Sequence, residues 1–175
     1  MNASLMFRLE RMTSPVGTLL IVTDAEARLR ALHWGDFEHH MLRELRRHYG
    51  GACAVSESDG HHSGAREALE AYFSGDLRAI DEIPVAGAGT PFQRDVWAAL
   101  RHIPAGATLS YSALAAKIGR PKAVRAVGLA NGANPIAIFV PCHRVIGADS
   151  SLTGYGGGLE RKRWLLNHEG AHYLG

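Results

Sequence analysis

A potential nucleophile lies in the string Pro141-Cys142-His143-Arg144-Val145, directly after the apolar run 136–140. A short apolar run of this kind predicts a fully buried strand, which would hold the cysteine rigidly at the mouth of a pocket. The neighbouring imidazole and guanidinium groups favour the thiolate of Cys142 over the thiol. From these residues alone two interpretations stay open: an activated nucleophile, or a small apolar filler of the core, which is the commoner fate of a free cysteine.

Composition limits the class of protein. The chain has 175 residues, 46% of them hydrophobic, which is enough for one large domain or two small ones. The formal net charge of +2 does not by itself indicate nucleic-acid binding. Two cysteines are too few for a disulfide framework or for a zinc site built from several thiolates. A single reactive thiol suits a reducing compartment.

The sequence also predicts a location in the cell. The first residues lack the charged-then-apolar pattern of a secretory signal. No apolar run approaches the ~20 residues that a bilayer-spanning helix needs. We therefore expect a cytoplasmic protein that does not enter a membrane.

The first half of the chain predicts strands followed by helices, from its alternating and then helical spacing of apolar residues. Three strands and two helices are expected, at residues 7–12, 18–22, 29–34, 37–49 and 64–73. Asp36 can cap the first helix. The Ser-, Gly-, Asp- and His-rich residues 54–64 predict a mobile loop between the two helices.

A linker is predicted at residues 80–90, which contain Pro84 and an Ala-Gly-Ala-Gly run. The sequence therefore predicts two domains, a scaffold at 1–84 and a second domain at 85–175. Paired histidines, at His39-His40 and His61-His62, point in different directions on a helix or strand and lack the usual ligand spacing. We expect no metal ion.

The second domain is predicted to be mainly helical. Thr90, Pro91 and Gln93 carry the signature of a capped helix start. A last helix is expected over residues 159–167, with Arg161, Lys162 and Arg163 on its outer face.

Two short helices are predicted in the middle of this domain. Ser110 caps the first, over residues 111–118, and the second runs over 121–131 after a turn that contains Gly119. The pattern is that of a helix-turn-helix, although a simple helix pair inside an α-rich core fits it as well. Basic residues cluster at the turn and on the second helix, at Arg120, Lys122 and Arg125. They could contact phosphates or form an ordinary solvated face.

A series of longer motifs resembles one known family. The pieces are Pro91-Phe92-Gln93, Val96-Trp97, Ile103-Pro104-Ala105-Gly106, Ser110-Tyr111, Val124-Arg125-Ala126-Val127-Gly128, Asn134-Pro135, Pro141 to Val145, Gly154-Tyr155-Gly156-Gly157-Gly158-Leu159, Trp164-Leu165-Leu166 and His168-Glu169-Gly170. In this order and spacing, from Thr90 to Gly170, the chain resembles the O6-alkylguanine-DNA alkyltransferases (methylated-DNA–protein-cysteine methyltransferases). Over residues 1–85 the resemblance is weak and mostly one of length and layout.

The resemblance implies a fold and an activity. The fold would be α/β (α+β): a small ribonuclease-H-like sheet-plus-helix domain, then a mainly helical, winged-helix-like domain with a helix-turn-helix. The activity would be irreversible transfer of an alkyl group from O6-alkylguanine, and from O4-alkylthymine, in duplex DNA to Cys142. Because a thioether is not hydrolysed under mild conditions, each molecule would act once. The damaged DNA is the donor, so no cofactor is expected.

Catalytic roles follow from the same resemblance. His143 would deprotonate Cys142, directly or through a water, and Glu169 would orient the imidazole, as in triads generally. Tyr111 would donate a proton or hydrogen bond to the departing base. Asn134, which precedes a proline and so favours an extended backbone, would pin the loop that shapes the thiol pocket.

The resemblance also implies a mode of DNA binding. The second helix of the pair would enter the minor groove of double-stranded DNA without sequence preference, and Arg125 would hold the gap left by a flipped base. Tyr111, Arg120, Lys122 and Ser110 complete the predicted DNA surface. The predicted base pocket consists of Gly156, Gly157, Gly158, Val145 and Tyr155. Many relatives carry a serine in this glycine stretch, and Gly156 occupies its place here.

Two further functions remain open at this stage. One is a non-catalytic module that recognises alkylated DNA, although such relatives lack the cysteine. The other is a cysteine hydrolase that uses Cys142, His143 and Glu169, which would leave the helix pair and Arg125 without a purpose. We expect a monomer that could bind DNA cooperatively and associate with the nucleoid when bound.

Overall fold

A computed structural model describes residues 5–51 and 53–175 of the chain. They form two compact units that divide between Ala88 and Gly89. The fold class is the predicted one, a sheet-containing first unit and a mainly helical second unit. No helix in the described ranges is long and apolar enough to cross a membrane.

The first unit consists of a four-stranded sheet and two helices. Its elements are β1 (Met6–Ser14), β2 (Gly17–Thr23), β3 (Leu29–Trp34), α1 (Glu38–Tyr49), β4 (Ala54–Glu57) and α2 (Gly64–Phe73). The strand order is β3-β2-β1-β4, and only the β1–β4 pair is parallel. Alternation of apolar residues turns one face of the sheet towards α1, and the shared core contains Phe7, Leu9, Leu20, Val22, Ala31, Met41 and Leu45.

Two expectations for this unit are wrong. Residues 54–57 form the edge strand β4 and not a loop, because they pair in parallel with β1 from Met6 to Leu9. Asp36 does not cap α1: it lies in a 3-10 turn, and the helix starts after Phe37, which makes no side-chain cap. Both segments lie at the surface and contain polar residues. Their sequence therefore does not show which backbone groups they hydrogen-bond.

The second unit is built from α3 (Pro91–Leu100), β5 (Leu109–Ser110), α4 (Tyr111–Lys117), α5 (Val124–Gly132), β6 (Val145–Ile146) and α6 (Leu159–His168). The predicted capping box of α3 is confirmed: the Thr90 hydroxyl accepts from the backbone N–H of Gln93, and the Gln93 side chain accepts from the backbone N–H of Thr90. The indole N–H of Trp97 on α3 donates to the carbonyl of Ala130 on α5 at 2.8 Å, which fixes the two helices together.

The helix pair α4–α5 has the expected layout, but α5 starts later than predicted. Gly119, with a φ of 73°, provides the left-handed turn after α4. The N–H of Arg120 bonds back to Ala115, and that of Ala123 to Arg120. These turns occupy residues 120–123, so the helix begins at Val124 and not at Pro121.

The apolar run 136–140 is buried, as predicted, but it is not a strand. Its backbone folds into tight turns in which the N–H of Val140 bonds to Ile136 and that of Cys142 bonds to Val140. Ile138 has a φ of 68°, a left-handed conformation that β-branched residues rarely adopt. A short apolar run indicates burial and cannot distinguish a strand from a buried turn.

Candidate active site

Cys142 begins a 3-10 turn, Cys142–Arg144, that connects the buried turns to β6. The cysteine is 7% exposed. Strand β6 pairs in parallel with β5, which places Ser110 beside Ile146. The pairing therefore brings the start of α4, with Tyr111, close to the turn that carries the sulfur.

The side chain of Asn134 organises the backbone before Cys142. Its Nδ2 donates to the carbonyl of Val140 at 2.7 Å and to Sγ of Cys142 at 3.1 Å, and its Oδ1 accepts from the N–H of Ile136 at 3.0 Å. One buried amide thus closes the turn and directs a hydrogen-bond donor at the sulfur. The structure brings together the two residues that the sequence linked.

Burial disfavours the thiolate of Cys142 in this unbound site. Burial raises the pKa of Cys142, while the Asn134 amide and the positive charge of Lys162 oppose that rise without cancelling it. The expectation that neighbouring cations hold a thiolate is therefore wrong for the resting protein. The sulfur is shielded from water and needs a further event to lose its proton.

His143 follows Cys142 in the 3-10 turn and is fully buried. Its Nε2 lies 2.9 Å from Oε1 of Glu169. Burial lowers the pKa of His143, and the attraction of Glu169 offsets this only in part, so the imidazole is neutral near pH ~7. Since a carboxylate can only accept, we assign the proton to Nε2, which leaves Nδ1 as a base. In the described part of the chain Nδ1 has no hydrogen-bond partner, so no direct bond to the sulfur is formed.

Glu169 is held by Arg144 as well as by His143. Nε and Nη2 of Arg144 donate to its two carboxylate oxygens at 2.9 and 2.8 Å, and Nη1 donates to the carbonyl of Ile103. Burial alone would raise the pKa of Glu169, but His143 and Arg144 bring it well below its usual range. The guanidinium of Arg144 is therefore committed to the carboxylate, and it keeps Glu169 ionised whatever the state of the imidazole.

Lys162 is the residue that the sequence analysis misplaced. It was expected on the outer face of α6, but its side chain is 0% exposed, and its Nζ donates to the carbonyls of Val145 at 2.6 Å and Thr153 at 3.0 Å. Burial lowers the pKa of Lys162 to about 8, against the influence of Cys142. The signal was present, because Lys162 precedes the buried Leu165 and Leu166 by three and four residues and so shares their face.

Tyr111 occupies the first position of α4 and is half-buried. Its hydroxyl accepts from Oγ1 of Thr153 at 3.2 Å. Its ring lies about 4 Å from where a β-carbon on Gly128 of α5 would stand. Thr153 therefore touches Tyr111 through its hydroxyl and Lys162 through its carbonyl, a connecting role that the sequence analysis did not assign.

The glycine stretch before α6 is open on its outer side. Gly156 and Gly158 are exposed and Gly157 is buried, while Tyr155 is half-buried and Val145 fully buried. Gly158 caps α6 with a φ of 92°, so glycine is required there. A β-carbon on Gly156 would meet no atom within 4 Å, so this position has room for a larger side chain.

The predicted DNA-contacting cations are exposed and available. Arg120 and Lys122 lie in the turn before α5, and Arg125 lies in its first turn. Their charged groups make no hydrogen bond or ion pair with another described residue. Ser110, by contrast, uses its hydroxyl to cap α4 by accepting from the N–H of Ala113 at 3.1 Å. Over residues 5–51 and 53–175, no three His, Cys, Asp or Glu side chains are grouped so as to hold a metal ion.

Replacing Asn134 with alanine should destabilise the second unit. The change strands the N–H of Ile136 and the carbonyl of Val140 in a buried turn, so we expect a loss of ~3 kcal/mol in the free energy of unfolding. Urea unfolding of a Trp34→Phe background, followed by the fluorescence of Trp97 and Trp164, reports on this unit alone. Asn167→Ala is the matched control, because its side chain is exposed and loses only a surface hydrogen bond from the Tyr173 hydroxyl, and it should cost at most ~1 kcal/mol. Equal stability of the two variants would contradict the role of the Asn134 amide.

Replacing Lys162 with methionine should slow alkylation of Cys142. Loss of the cation raises the thiol pKa further, so near pH ~7.5 we expect a rate about tenfold lower, which corresponds to roughly one pKa unit. The difference should shrink above pH 8, because Lys162 itself loses its proton there. The measurement is the rate of iodoacetamide labelling against pH in a Cys53→Ser background.

Arg163→Met is the control for this experiment, since Arg163 is an exposed cation on the same helix. Its rate should match that of the parent protein at every pH. A Lys162→Met rate that equals the Arg163→Met rate, or that stays lower by a constant factor above pH ~9, would show that the charge of Lys162 does not act on the sulfur.

The comparison with known families covers both units of the chain. Residues 8–86 match the ribonuclease-like domain of 6-O-methylguanine DNA methyltransferase, and residues 91–171 match its DNA-binding domain. These ranges fall within the two compact units that the structure defines.

Individual relatives agree. A methylated-DNA–protein-cysteine methyltransferase of Salmonella typhimurium is 50% identical over 92% of this chain and 94% of its own length. One of Mycolicibacterium paratuberculosis is 57% identical over 67% of this chain and 70% of its own. The crystal structure of Mycobacterium tuberculosis OGT in complex with DNA superposes with a TM-score of 0.76 at 43% identity, over 93% of this chain and 92% of that one. The chain therefore belongs to the 6-O-methylguanine DNA methyltransferase family.

Proposed function

We propose that this chain repairs alkylated DNA by taking the alkyl group from O6 of guanine onto Sγ of Cys142, once per molecule. The observation that carries the proposal is the buried thiol under the Asn134 amide, backed by the His143–Glu169 pair. The relatives named for alkyl transfer to a protein cysteine support the reaction type. Support for DNA as the partner comes from the DNA-binding domain match and from the M. tuberculosis complex.

In the proposed reaction four side chains have separate roles. The S–H proton of Cys142 passes to Nδ1 of His143, through a bridging water because the two groups are not directly bonded, and Glu169 stabilises the imidazolium. The sulfur electron pair attacks the alkyl carbon, and the carbon–oxygen bond breaks. Its electrons leave on the guanine, which takes the proton of the Tyr111 hydroxyl. The imidazolium of His143 then gives up its proton through water, and this proton restores the Tyr111 phenol. The products are a thioether on Cys142 and an unmodified guanine.

Burial of the sulfur suits this chemistry. A thiolate in water is hydrated and would also react with any electrophile that reaches it, whereas a neutral buried thiol is protected until a base fills the pocket. The positive charge of Lys162 lowers the free-energy cost of the transient thiolate at Cys142. Because the thioether does not revert, each molecule reacts once. The damaged DNA supplies the alkyl group, so no methyl-donor cofactor is needed.

The proposed DNA surface lies on the second unit. Helix α5 would enter the minor groove, Arg125 would fill the place of the flipped base, and Arg120, Lys122 and the region of Ser110 would contact the backbone. The flipped base would occupy the predicted pocket of Gly156, Gly157, Gly158, Val145 and Tyr155. O4-alkylthymine would be a second substrate. Phosphate contacts of this kind bind duplex DNA irrespective of sequence and weaken with salt.

The rest of the molecule takes supporting roles in the proposal. We assign residues 1–84 to a scaffold and residues 85–175 to DNA binding and alkyl acceptance. The protein would work as a monomer that can cooperate along DNA, in the cytoplasm and on the nucleoid.

Stoichiometric labelling tests the proposed function. Incubation with duplex DNA that carries O6-[methyl-³H]guanine should transfer at most one label per chain, and peptide mapping should place it on Cys142. Cys142→Ser should take no label yet keep DNA affinity, while Cys53→Ser should behave as the parent. Release of many labels per chain would exclude a single-turnover acceptor, and label on Cys53 would exclude Cys142.

Gly156→Ser should speed repair of O6-methylguanine. The position has room for the side chain, and a hydroxyl there would donate to the departing oxygen, a hydrogen bond worth ~1 kcal/mol or roughly fivefold in rate. Single-turnover rates on the same duplex measure the effect. Gly154→Ser is the matched control, because a β-carbon there also meets nothing within 4 Å. If both variants react at the parent rate, Gly156 does not face the base.

A further inference from the structure

Leu129 is the most exposed large hydrophobic residue in the described part of the chain, with 71% of its surface accessible. It lies on α5, whose buried side carries Val127, Ala130 and Asn131. Its side chain therefore does not contribute to the core of this unit. Exposed leucines occur singly on many proteins and by themselves indicate nothing, so the surrounding face decides its meaning.

The outer face of α5 is unusual for a surface helix. Its exposed residues are Arg125, Ala126, Leu129 and Gly132. A helix that packs on one side normally presents polar and charged residues on the other. Here Arg125 is the only charged residue of the helix, and the rest of the face is small or apolar. Such a face fits a partner that combines negative charge with apolar surface.

We propose that Leu129 is a DNA-contacting residue that packs against the apolar sugar walls of the minor groove, one helical turn beyond Arg125. This inference rests on the proposed function, and it names a contact that the alkyl-transfer chemistry does not require. Residues four apart share a face and lie about 6 Å apart along the axis. Arg125 and Leu129 would thus reach neighbouring positions of one groove.

Duplex DNA is the occupant that the charges favour. The unengaged side chains of Arg120, Lys122 and Arg125 flank one end of this face, and phosphates are their natural partners. Deoxyribose and base edges in the minor groove provide the apolar surface that side chains such as leucine contact. The face is continuous with the proposed DNA surface and belongs to the unit that matches the DNA-binding domain.

Leu129 would add affinity of a different kind from that of the cations. A phosphate contact releases counterions, so its contribution falls as salt rises, with a slope of about 0.9 per phosphate in a plot of log K against log salt. Burial of a leucine releases no ions. Leu129 would therefore contribute the same factor at every salt concentration and in every sequence context.

The test compares DNA affinity across salt concentrations for the parent protein, Leu129→Ser, Lys122→Ala and Leu174→Ser. Leu174 is the matched control, being 66% exposed and outside α5. Fluorescence anisotropy with an unmodified duplex gives the affinities. Leu129→Ser should bind roughly tenfold more weakly with an unchanged salt slope, Lys122→Ala should lower the slope by about 0.9, and Leu174→Ser should match the parent.

Reaction with O6-benzylguanine as a free base separates this inference from the proposed function. Leu129→Ser should take up the benzyl group at the parent rate, because no duplex is involved. A parent-like DNA affinity of Leu129→Ser, with alkyl transfer intact, would overturn the role of Leu129 alone. A parent that neither binds duplex nor accepts an alkyl group would overturn both.

Sedimentation of the parent and of Leu129→Ser completes the test. A concentration-dependent dimer that the substitution abolishes, together with unchanged DNA affinity, would assign this face to a second copy of the chain and contradict the inference.

Discussion

The position of one sulfur atom depends on one buried amide. Asn134 binds the carbonyl of Val140, the N–H of Ile136 and Sγ of Cys142 with a single side chain. The same contacts maintain a turn in which Ile138 adopts a left-handed backbone, a conformation that persists only where its surroundings enforce it. Without this turn the cysteine would have no fixed relation to the imidazole, the lysine or the helix pair.

The charges around the thiol have separate tasks. Arg144, next but one to the cysteine, is used to keep Glu169 ionised, and Glu169 in turn orients His143. The cation that acts on the sulfur comes from α6, where the buried Lys162 is anchored by two carbonyls. Burial disfavours the charged forms of Cys142, His143 and Lys162. With a pKa of about 8, Lys162 nevertheless stays positively charged near neutrality. In the resting site the sulfur therefore keeps its proton and the imidazole of His143 is neutral. This is a suitable resting state for a reaction that each molecule performs once.

Much of this arrangement was visible in the sequence. The α3 capping box is encoded by Thr90 and Gln93 themselves, and the Gly119 turn by a residue that tolerates its backbone, so local chemistry predicted both. The string around Cys142 and the distant Glu169 came from the resemblance to a family. Their mutual contacts depend on the β5–β6 pairing and on α6, which no local pattern specifies.

The errors have physical causes. Residues 136–140 were expected to be a strand because an apolar run shows burial but not backbone direction, and the backbone is set here by Asn134. Lys162 was placed outside because charged residues usually are, although its spacing to Leu165 and Leu166 put it on the buried side. The thiolate expected from neighbouring cations did not follow, since the cost of burial exceeds their effect.

A direct titration of the Cys142 thiol tests the central claim that the sulfur rests as a protected thiol. The measurement is the ultraviolet absorbance of thiolate against pH for Cys53→Ser, minus that of the Cys53→Ser, Cys142→Ser double variant. We predict a midpoint above the value of ~8.5 for free cysteine and no thiolate near neutrality. A midpoint below ~7, with the thiolate already present in the DNA-free protein, would contradict it.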